Sequence, residues 1–300
     1  MAVETLTNPR SNLPNVYTNV TAREVELAAR FETNWDALRA IMGIMRPIRK
    51  RPGTALYRRT ASVDLADPKA VPGAVTEFSQ VTYTQTGFQM IQLEEYAAAT
   101  TLQEIADYGA EIALDRRDAA FIAALQNKVL TDYYTFLNAA VGLTGTATTW
   151  QAALAKAKGM VVDKFNKLRK TVTEVVGFAN VLDAYEYVGE AQITVQTAFG
   201  VSYVENFLGY RTLFLLSEPD IAPGKVIAVP VENIDMNYID PSDADFAEGG
   251  LNYTTAGGET NLIGFHVQGA HRTGTSEIYA LMGIKLWSEI EDGIAIVDIE

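Results

Sequence analysis

Residues 71–100, VPGAVTEFSQVTYTQTGFQMIQLEEYAAAT, run directly into residues 101–137, TLQEIADYGAEIALDRRDAAFIAALQNKVLTDYYTFL. Thr, Tyr, Val, Phe and Gln dominate from Glu77 to Leu93, and these residue types favour a strand over a helix. Thr101 and Glu104 have the spacing of a capping box, in which each side chain accepts a hydrogen bond from the other residue's backbone amide. The sequence therefore predicts a long extended segment that leads without a break into a helix.

The predicted helix is longer than most helices of globular proteins. Its apolar residues keep to one broad stripe and its acidic residues recur at spacings of three and four on another. The apolar stripe comprises Ile105, Gly109, Ile112, Ala113, Ala120, Ala123, Leu130, Tyr134 and Leu137, and the acidic stripe comprises Glu104, Asp107, Glu111, Asp115 and Asp118. At about 1.5 Å per residue, an unbroken helix to Leu137 is roughly 50 Å long. We interpret it as a strut with an exposed acidic face.

A second strand precedes this segment. Leu56–Leu65 has a strand-like composition, and Asp67, Pro68, Pro72 and Gly73 mark a turn before the chain returns. Together the two strands predict a β-hairpin in which neither face is cleanly apolar. Because an isolated two-stranded ribbon is only marginally stable in water, we expect it to be held by something outside its own fold. The alternative is a hairpin packed inside a larger sheet.

Composition indicates a folded protein with a large core, since 48% of the 300 residues are hydrophobic. No run approaches the roughly 18 apolar residues of a membrane span, and the N-terminus lacks a signal-peptide pattern. These features predict a protein that stays in the cytoplasm and has no membrane partner. Cysteine is absent, which excludes disulfides and thiolate chemistry.

The net charge of -13 is unevenly distributed. The first 59 residues contain ten Lys and Arg against five Asp and Glu, whereas the other 241 residues contain 14 against 32. The excess of acidic residues after residue 59 argues against a groove that binds nucleic acid along its length, because neutralisation of phosphates by basic residues supplies most of the affinity for nucleic acid. We expect the basic residues of the first part to form intersubunit salt bridges or a solvated face, with contact to nucleic acid as the alternative; they are Arg46, Arg49, Lys50, Arg51, Arg58 and Arg59.

Other elements flank the hairpin and the long helix. A capping box from Thr21 to Glu24 predicts an amphipathic helix that continues through Met45 and ends at Pro47. After a Gly- and Thr-rich boundary near 142–149, alternating helix and strand patterns predict a compact α/β domain. The first helix of this domain is predicted to be capped by Thr148 and to bury Leu154, Ala157, Val161, Phe165 and Leu168. A second helix is predicted from an Asn180 cap through Val188. The strands predicted in this domain and in the rest of the chain are Thr173–Ala179, Thr212–Leu216, Lys225–Tyr238, Leu262–His271, Ile278–Glu289 and Ile294–Ile299.

Catalytic and metal-binding patterns are weak throughout. His266 and His271 lie five residues apart in a predicted strand, which directs them to opposite faces and disfavours a shared metal ion. The loop from Asp240 to Gly250 carries several carboxylates but lacks the spacing of a calcium-binding loop. Ser202 has no flanking glycines and no partner histidine in a comparable motif. The sequence therefore predicts no enzyme, with no catalytic residue, no cofactor site and no metal site.

The order of these elements resembles the major capsid proteins of tailed bacteriophages, which have the Hong Kong 97 fold. The quoted segment 71–105 resembles the return strand of their extended loop and the start of their spine helix. A second segment, FGVSYVENFLGYRTLFLLSEPDIAPGKVIAVPVENI, resembles the later part of their axial domain. The resemblance implies an α+β fold with an N-terminal arm, an extended β-hairpin loop, a long spine helix with a peripheral-domain sheet, and an α/β axial domain. The implied boundaries are 1–55 for the arm, 56–93 for the loop, 94–147 with 229–300 for the peripheral domain, and 148–228 for the axial domain.

In that family the extended loop lies across a neighbouring subunit. The resemblance therefore implies hexamers and pentamers of this chain that build an icosahedral head around double-stranded DNA, assembled in the bacterial cytoplasm and located in the virion. It also implies a separate scaffolding protein, a portal and decoration proteins as further partners. The residues expected at intersubunit contacts are Arg58, Arg59, Asp64, Asp67, Lys69 and Glu77.

Three alternatives remain open from the sequence. Some capsid proteins of this family link a lysine of the extended loop covalently to a neighbour, and Lys69 is the only lysine between Arg51 and Asn127; we interpret it as a solubilising residue at the hairpin tip. An encapsulin-like bacterial compartment shell is the second alternative, since encapsulins share the fold. A soluble α/β ligand-binding protein is the third.

Overall fold

The computed structural model describes residues 23–31, 44–66, 78–172, 174–191, 196–198, 201–231, 233–255 and 261–300. Its helices are α1 (residues 23–31), α2 (Leu102–Tyr108), α3 (Ala110–Asn138), α4 (Trp150–Lys167), α5 (Val181–Ala191) and α6 (Ala244–Glu248). Its strands are β1 (Met45–Lys50), β2 (Ala55–Asp64), β3 (Gln80–Met90), β4 (Glu94–Thr101), β5 (Leu143–Ala147), β6 (Val175–Asn180), β7 (Gln196–Ala198), β8 (Val201–Glu205), β9 (Thr212–Leu216), β10 (Lys225–Pro230), β11 (Ile234–Ile239), β12 (Thr254–Thr255), β13 (Ile263–Ala270), β14 (Thr275–Ser288) and β15 (Ala295–Ile299). The fold is α+β, as predicted.

The predicted hairpin is a separate two-stranded sheet. Among the described strands, β2 and β3 pair only with each other, in an antiparallel register that matches Asp64 with Gln80 and Ala61 with Tyr83. The register shifts near Leu56, where a bulge interrupts the pairing. The hairpin is therefore not part of a larger sheet, which was the alternative interpretation.

A six-stranded sheet lies beside the hairpin. Its order is β1-β11-β14-β13-β12, and β4 pairs with the first half of β14. The chain passes from β4 into α2 without a loop, and Thr101 caps α2 through the predicted capping box with Glu104. Strand β1 lies at an edge of this sheet, where Pro47 is tolerated because an edge strand leaves some of its amides unpaired.

The long helix is interrupted, contrary to the prediction of one unbroken helix. Gly109 separates α2 from α3 with φ 83° and ψ 146°, a conformation open to glycine but strained for other residues. An added Cβ at Gly109 would meet nothing within 4 Å, so backbone conformation and not crowding accounts for glycine at this position. The second piece, α3, has 29 residues, which corresponds to roughly 43 Å.

The buried face of α3 also differs from the predicted stripe. Ala120, Ala123 and Ile112 are exposed, whereas the helix buries Asp118, Ile122, Leu125, Val129, Tyr133, Tyr134 and Leu137. The predicted stripe followed small alanines that fit either environment. The real stripe is set by the larger side chains, whose burial stabilises the fold by about 1.5–3 kcal/mol each.

A seven-stranded sheet in the order β5-β15-β10-β6-β9-β8-β7 forms the second layer. All six residues of β6 are buried because both faces of this strand are covered, which explains its nearly continuous apolar sequence. On one face, α4 packs through the four predicted residues Leu154, Ala157, Val161 and Phe165. On the other face, Phe178 contacts the rings of Tyr133 and Tyr134 from α3, so the long helix also joins the two sheets.

Several sequence boundaries were wrong. Met45 and Pro47 lie in β1 and not in a helix, Thr149 caps α4 in place of Thr148, and Leu168 is exposed. The segment predicted as one strand from Lys225 to Tyr238 is divided between β10 and β11, which belong to different sheets. Periodicity cannot detect such a change of sheet, because both halves remain extended and buried.

The proposed domain boundaries stay a prediction. Strands β5 and β15 pair in the seven-stranded sheet, although the predicted boundaries assign them to the peripheral domain. Parts of the predicted first helix and the hairpin tip, including Thr21, Trp35, Asp67, Lys69 and Glu77, lie outside the described residues. Among the helices that the structure describes, none is long and apolar enough to cross a membrane.

Candidate assembly surfaces

The β2–β3 hairpin exposes its side chains on both faces. Every residue from Ala61 to Leu65 and from Phe78 to Gln85 is exposed, including Phe78 at 99% and Tyr83 at 79%. Large apolar side chains at this level of exposure are unusual when they lie together on one element. The hairpin is therefore the strongest candidate for an intermolecular contact in the described chain.

The base of the hairpin is fixed to the body. Leu56 is buried in a small cluster with Ile91 and with Ile239 of β11, while the rings of Tyr57 and Phe88 pack against each other within the hairpin, with their centroids 5.6 Å apart. Because Leu56 is buried and the rest of the hairpin is exposed, the hairpin extends from a defined position on its own subunit.

Gly87 contributes to the fixed base. Its φ is +69°, and an added Cβ would lie 2.8 Å from Cη2 of Trp287. This glycine allows β3 to turn while its backbone lies against the indole ring of β14. The sequence offered a signal, since a glycine within a strand pattern often marks a bulge or a close backbone approach.

The predicted contact residues are only partly within the described structure. The backbones of Arg58 and Arg59 lie in β2 opposite Thr86 and Gln85, and Asp64 is exposed at the last pair of the hairpin. Whether these three residues contact a neighbour stays a prediction. The other three predicted contact residues, Asp67, Lys69 and Glu77, lie outside the described residues.

Two basic residues of β1, Arg46 and Arg49, are about half exposed and pair with carboxylates of the same chain, and whether the basic cluster also contacts a neighbouring subunit stays a prediction. Arg46 lies 2.8 Å from a carboxylate oxygen of Asp235 and 3.3 Å from Glu289. Arg49 lies 3.1 Å from Asp240 and also approaches Asp243. Burial raises the pKa of the Asp235 carboxyl, although Arg46 opposes that shift. These pairs hold the edge strand against the acidic loop after β11.

Helix α1, residues 23–31, docks on its own subunit. Leu27, Ala28 and Phe31 are buried in the main core, and the ring of Phe31 packs edge-on against Phe265 of β13. Arg23 donates to the carboxylate of Asp118 at 2.7 Å. The apolar face and the ion pair together bind α1 between α3 and the six-stranded sheet.

Glu24 makes a contact that the sequence did not predict. Its carboxylate accepts hydrogen bonds from the backbone amide of Val267 at 2.9 Å and from the hydroxyl of Thr254 at 2.6 Å. It is thereby bound to the sheet, and the capping box predicted with Thr21 lies outside the described residues. A third neighbour is His266, whose Nδ1 lies 3.3 Å from Oε1 of Glu24. Glutamate at this position gave no sequence signal beyond the capping pattern.

Helix α2 is a second exposed element. None of its residues is buried, and Leu102, Tyr108 and the nearby Ile112 of α3 are all more than half exposed. It is held at its N-terminal end, where the amide of Leu102 donates to the carbonyl of Gly274 and Thr101 provides the cap. The acidic residues around it face solvent, as predicted for Glu104, Asp107, Glu111 and Asp115, whereas Asp118 of the same predicted stripe is buried and paired with arginines.

The described residues do not form a recognisable catalytic or metal-binding site. No cluster of three or more His, Cys, Asp or Glu with the geometry of a metal site occurs there. His271 lies in the turn between β13 and β14 and not in a strand, and His266 contacts the rings of Tyr253 and Tyr279. Asp240 is directed at Arg49 and accepts from Ser242, so its oxygens already have partners. The extended hairpin remains the feature that calls for a functional explanation.

Comparison with known proteins assigns the fold. No family model matches the sequence, and no curated protein does either. Solved structures match along most of the chain. The capsid asymmetric unit of cyanophage A-1(L) is similar at 14% identity with a TM-score of 0.58, covering 86% of this chain and 92% of that chain. The capsid of cyanophage P-SCSP1u is similar at 8% identity with a TM-score of 0.55, covering 87% and 88%.

A bacterial compartment shell is similar as well. The holo-SrpI encapsulin complex from Synechococcus elongatus PCC 7942 aligns at 11% identity with a TM-score of 0.51, covering 87% of this chain and 86% of that chain. These matches confirm the predicted fold: the chain has the Hong Kong 97-type fold of phage capsid and encapsulin subunits.

Proposed function

We propose that this chain is the major capsid protein of a tailed bacteriophage, which assembles through pentamers and hexamers into an icosahedral head around double-stranded DNA. The observation that carries the proposal is the β2–β3 hairpin, which begins from a fixed base and exposes both faces, on a chain with a capsid fold. A hairpin of this kind is stabilised when a neighbouring copy covers it. The role is structural, with symmetric contacts in place of an active site.

The partners follow from this role. The first is another copy of the chain, contacted through the hairpin with Arg58, Arg59, Asp64, Asp67, Lys69 and Glu77 at or near the contact. A scaffolding protein, a portal and decoration proteins are further proposed partners. The acidic composition beyond residue 59 suits a container that encloses DNA without binding it in a sequence-specific groove. Assembly in the host cytoplasm and location in the virion belong to the same proposal.

The experiment is expression of the full chain followed by size-exclusion chromatography and negative-stain electron microscopy, alone and with crowding agents. We expect hollow particles of uniform diameter built from rings of five and six subunits. A protein that remains monomeric under every assembly condition would contradict the proposal. Boiling the particles in detergent tests Lys69 at the same time, and we expect a clean monomer band because this lysine is interpreted as solubilising.

An encapsulin-like compartment shell is the second candidate, favoured by the similarity to the holo-SrpI encapsulin complex over 87% of the chain. Both candidates form shells, so particle formation alone does not separate them. Their contents do. Particles purified from the native source should contain double-stranded DNA if the chain is a phage capsid protein and a packaged enzyme if it is a compartment shell. Nuclease-protected DNA measurement and mass spectrometry of the contents distinguish the two.

A further inference from the structure

The hairpin has two chemically different faces, although its sequence suggested that neither was cleanly apolar. Side chains alternate along a strand, and directly opposed residues of an antiparallel pair lie on the same face. The register pairs Ala61 with Tyr83 and Val63 with Val81. These four side chains therefore share one face, which we call the valine–tyrosine face, and the polar Gln85 follows on the same side toward the base.

The opposite face is polar. The register pairs Ser62 with Thr82 and Asp64 with Gln80, and Thr84 follows on the same side. We call these five residues the threonine face. Burying the carboxylate of Asp64 without a cation would cost several kcal/mol, whereas hydroxyls and amides remain hydrated at little cost in water. A partner that covers the valine–tyrosine face would bury apolar surface, whereas a partner that covers the threonine face would remove water from polar groups.

We propose that the valine–tyrosine face packs against a second copy of this chain, while the threonine face stays in contact with water, so that Asp64 lies beside the contact and not within it. The proposal rests on the proposed shell function and adds which side of the hairpin is the contact. Val63 is 54% exposed, Val81 45% and Tyr83 79% in the single subunit, so all three have apolar surface left to bury.

The size of the face favours a second copy over a single unrelated partner. Four side chains of this kind present on the order of 400 Å². A stable two-protein complex buries about 800 Å² on each partner, so this face alone is too small to hold one. A contact of this area is sufficient when it is repeated around a closed ring, because each subunit then gives one such contact and receives another.

The direction of the hairpin supports the same occupant. Its base is fixed where Leu56 is buried and Gly87 lies against Trp287, so the hairpin is not a free segment of chain. From that base, Ala61, Val63, Val81 and Tyr83 remain exposed to solvent along its length. A fixed base with an exposed apolar face presents the same surface in the same orientation on every subunit, which symmetric assembly requires.

The first test compares neighbouring positions of one strand. Tyr83→Lys places a charge on the valine–tyrosine face, and Thr82→Lys places the same charge on the threonine face one residue away. Both side chains are exposed in the subunit, so we expect unchanged circular dichroism and thermal unfolding for both. We expect Tyr83→Lys to reduce particle yield at least tenfold and Thr82→Lys to change it less than twofold. Tyr83→Phe keeps the apolar ring and should assemble like the parent chain.

The second test reads the interface in assembled particles and does not depend on loss of assembly. Because the chain contains no cysteine, Tyr83→Cys and Thr82→Cys each introduce a single thiol. We expect a maleimide reagent to label both variants equally as subunits, and to label particles of Thr82→Cys at least tenfold faster than those of Tyr83→Cys. Equal labelling in particles, or equal loss of yield from the two lysine variants, would overturn the proposal while leaving the shell function intact. Failure of the parent chain to form particles would overturn both.

Discussion

At the scale of single residues, Asp118 shows how a charge inside the structure can organise an interface between elements. Its side chain is 6% exposed and lies between Arg23 of α1 and Arg117 of its own helix, each 2.7 Å from a carboxylate oxygen. Arg117 in turn donates to the carbonyl of Ser276, which ties the pair to the start of β14. One carboxylate therefore connects α1, α3 and the six-stranded sheet.

The first prediction concerns Asp118→Ala. Removing the carboxylate leaves two guanidinium groups without their shared partner, and breaking a buried pair in this way costs about 3–5 kcal/mol. Urea unfolding of the unassembled subunit should show a loss of about 3 kcal/mol. Asp115→Ala is the matched control on the same helix, because Asp115 pairs with Arg30 but is 58% exposed. Its cost should stay below about 1 kcal/mol. Equal losses at the two positions would show that burial does not govern this cluster.

At the scale of elements, local sequence signals identified segments well when one element carried its own signal. The hairpin strands, the capping box at Thr101 and strand β9 were predicted because turn residues, caps and side-chain alternation act within a few residues. The interruption at Gly109 was missed because an isolated glycine also occurs within continuous helices.

Tertiary contacts set the boundaries that local signals could not. Met45 fits the apolar stripe of a helix, but pairing with Ile234 makes it the first residue of β1. The candidate contact surface was likewise predicted only in part. Composition predicted an unsupported hairpin, whereas the distinction between its faces required the register of β2 against β3, which no single strand contains.

The second prediction concerns how α1 is held. Glu24→Ala removes the acceptor for the amide of Val267 and the hydroxyl of Thr254; the buried amide is left without a partner, at a cost of about 1–3 kcal/mol, whereas the half-buried hydroxyl can turn to water. Hydrogen exchange of the peptide 23–31 should accelerate about tenfold or more, while exchange in β6 stays unchanged. Glu26→Ala is the control, since Glu26 is exposed and pairs only along the helix with Arg30 among the contacts described here. Its effect should be about twofold, as for other exposed helix pairs. Equal acceleration in both variants would contradict a role for Glu24 in docking α1.

At the scale of the whole molecule, the contacts divide into those completed within one chain and those left open. Both sheets, α1, α3 and α4 contribute to two large cores, and Arg46 and Arg49 of β1 have acidic partners in the same chain. The hairpin and α2 are different, because the hairpin is anchored at its base and α2 at its first residue, and both leave apolar side chains in solvent. A chain built this way can fold as a monomer and still need copies of itself to cover its remaining apolar surface.

The third prediction tests this division by shortening the hairpin. Thr60 and Thr84 are directly paired, so residues 61–83, which include the valine–tyrosine face, can be replaced by Asn-Gly, the two-residue turn that best suits paired strands. Urea unfolding of the shortened subunit should keep the midpoint and slope of the parent chain, because the removed segment adds no residue to the described cores. Particle formation should be lost, since the hairpin no longer reaches its neighbour. A shortened subunit that unfolds would place the removed segment within the core of its own chain. A shortened subunit that assembles normally would show that the contact lies elsewhere, and α2 would be the next surface to test.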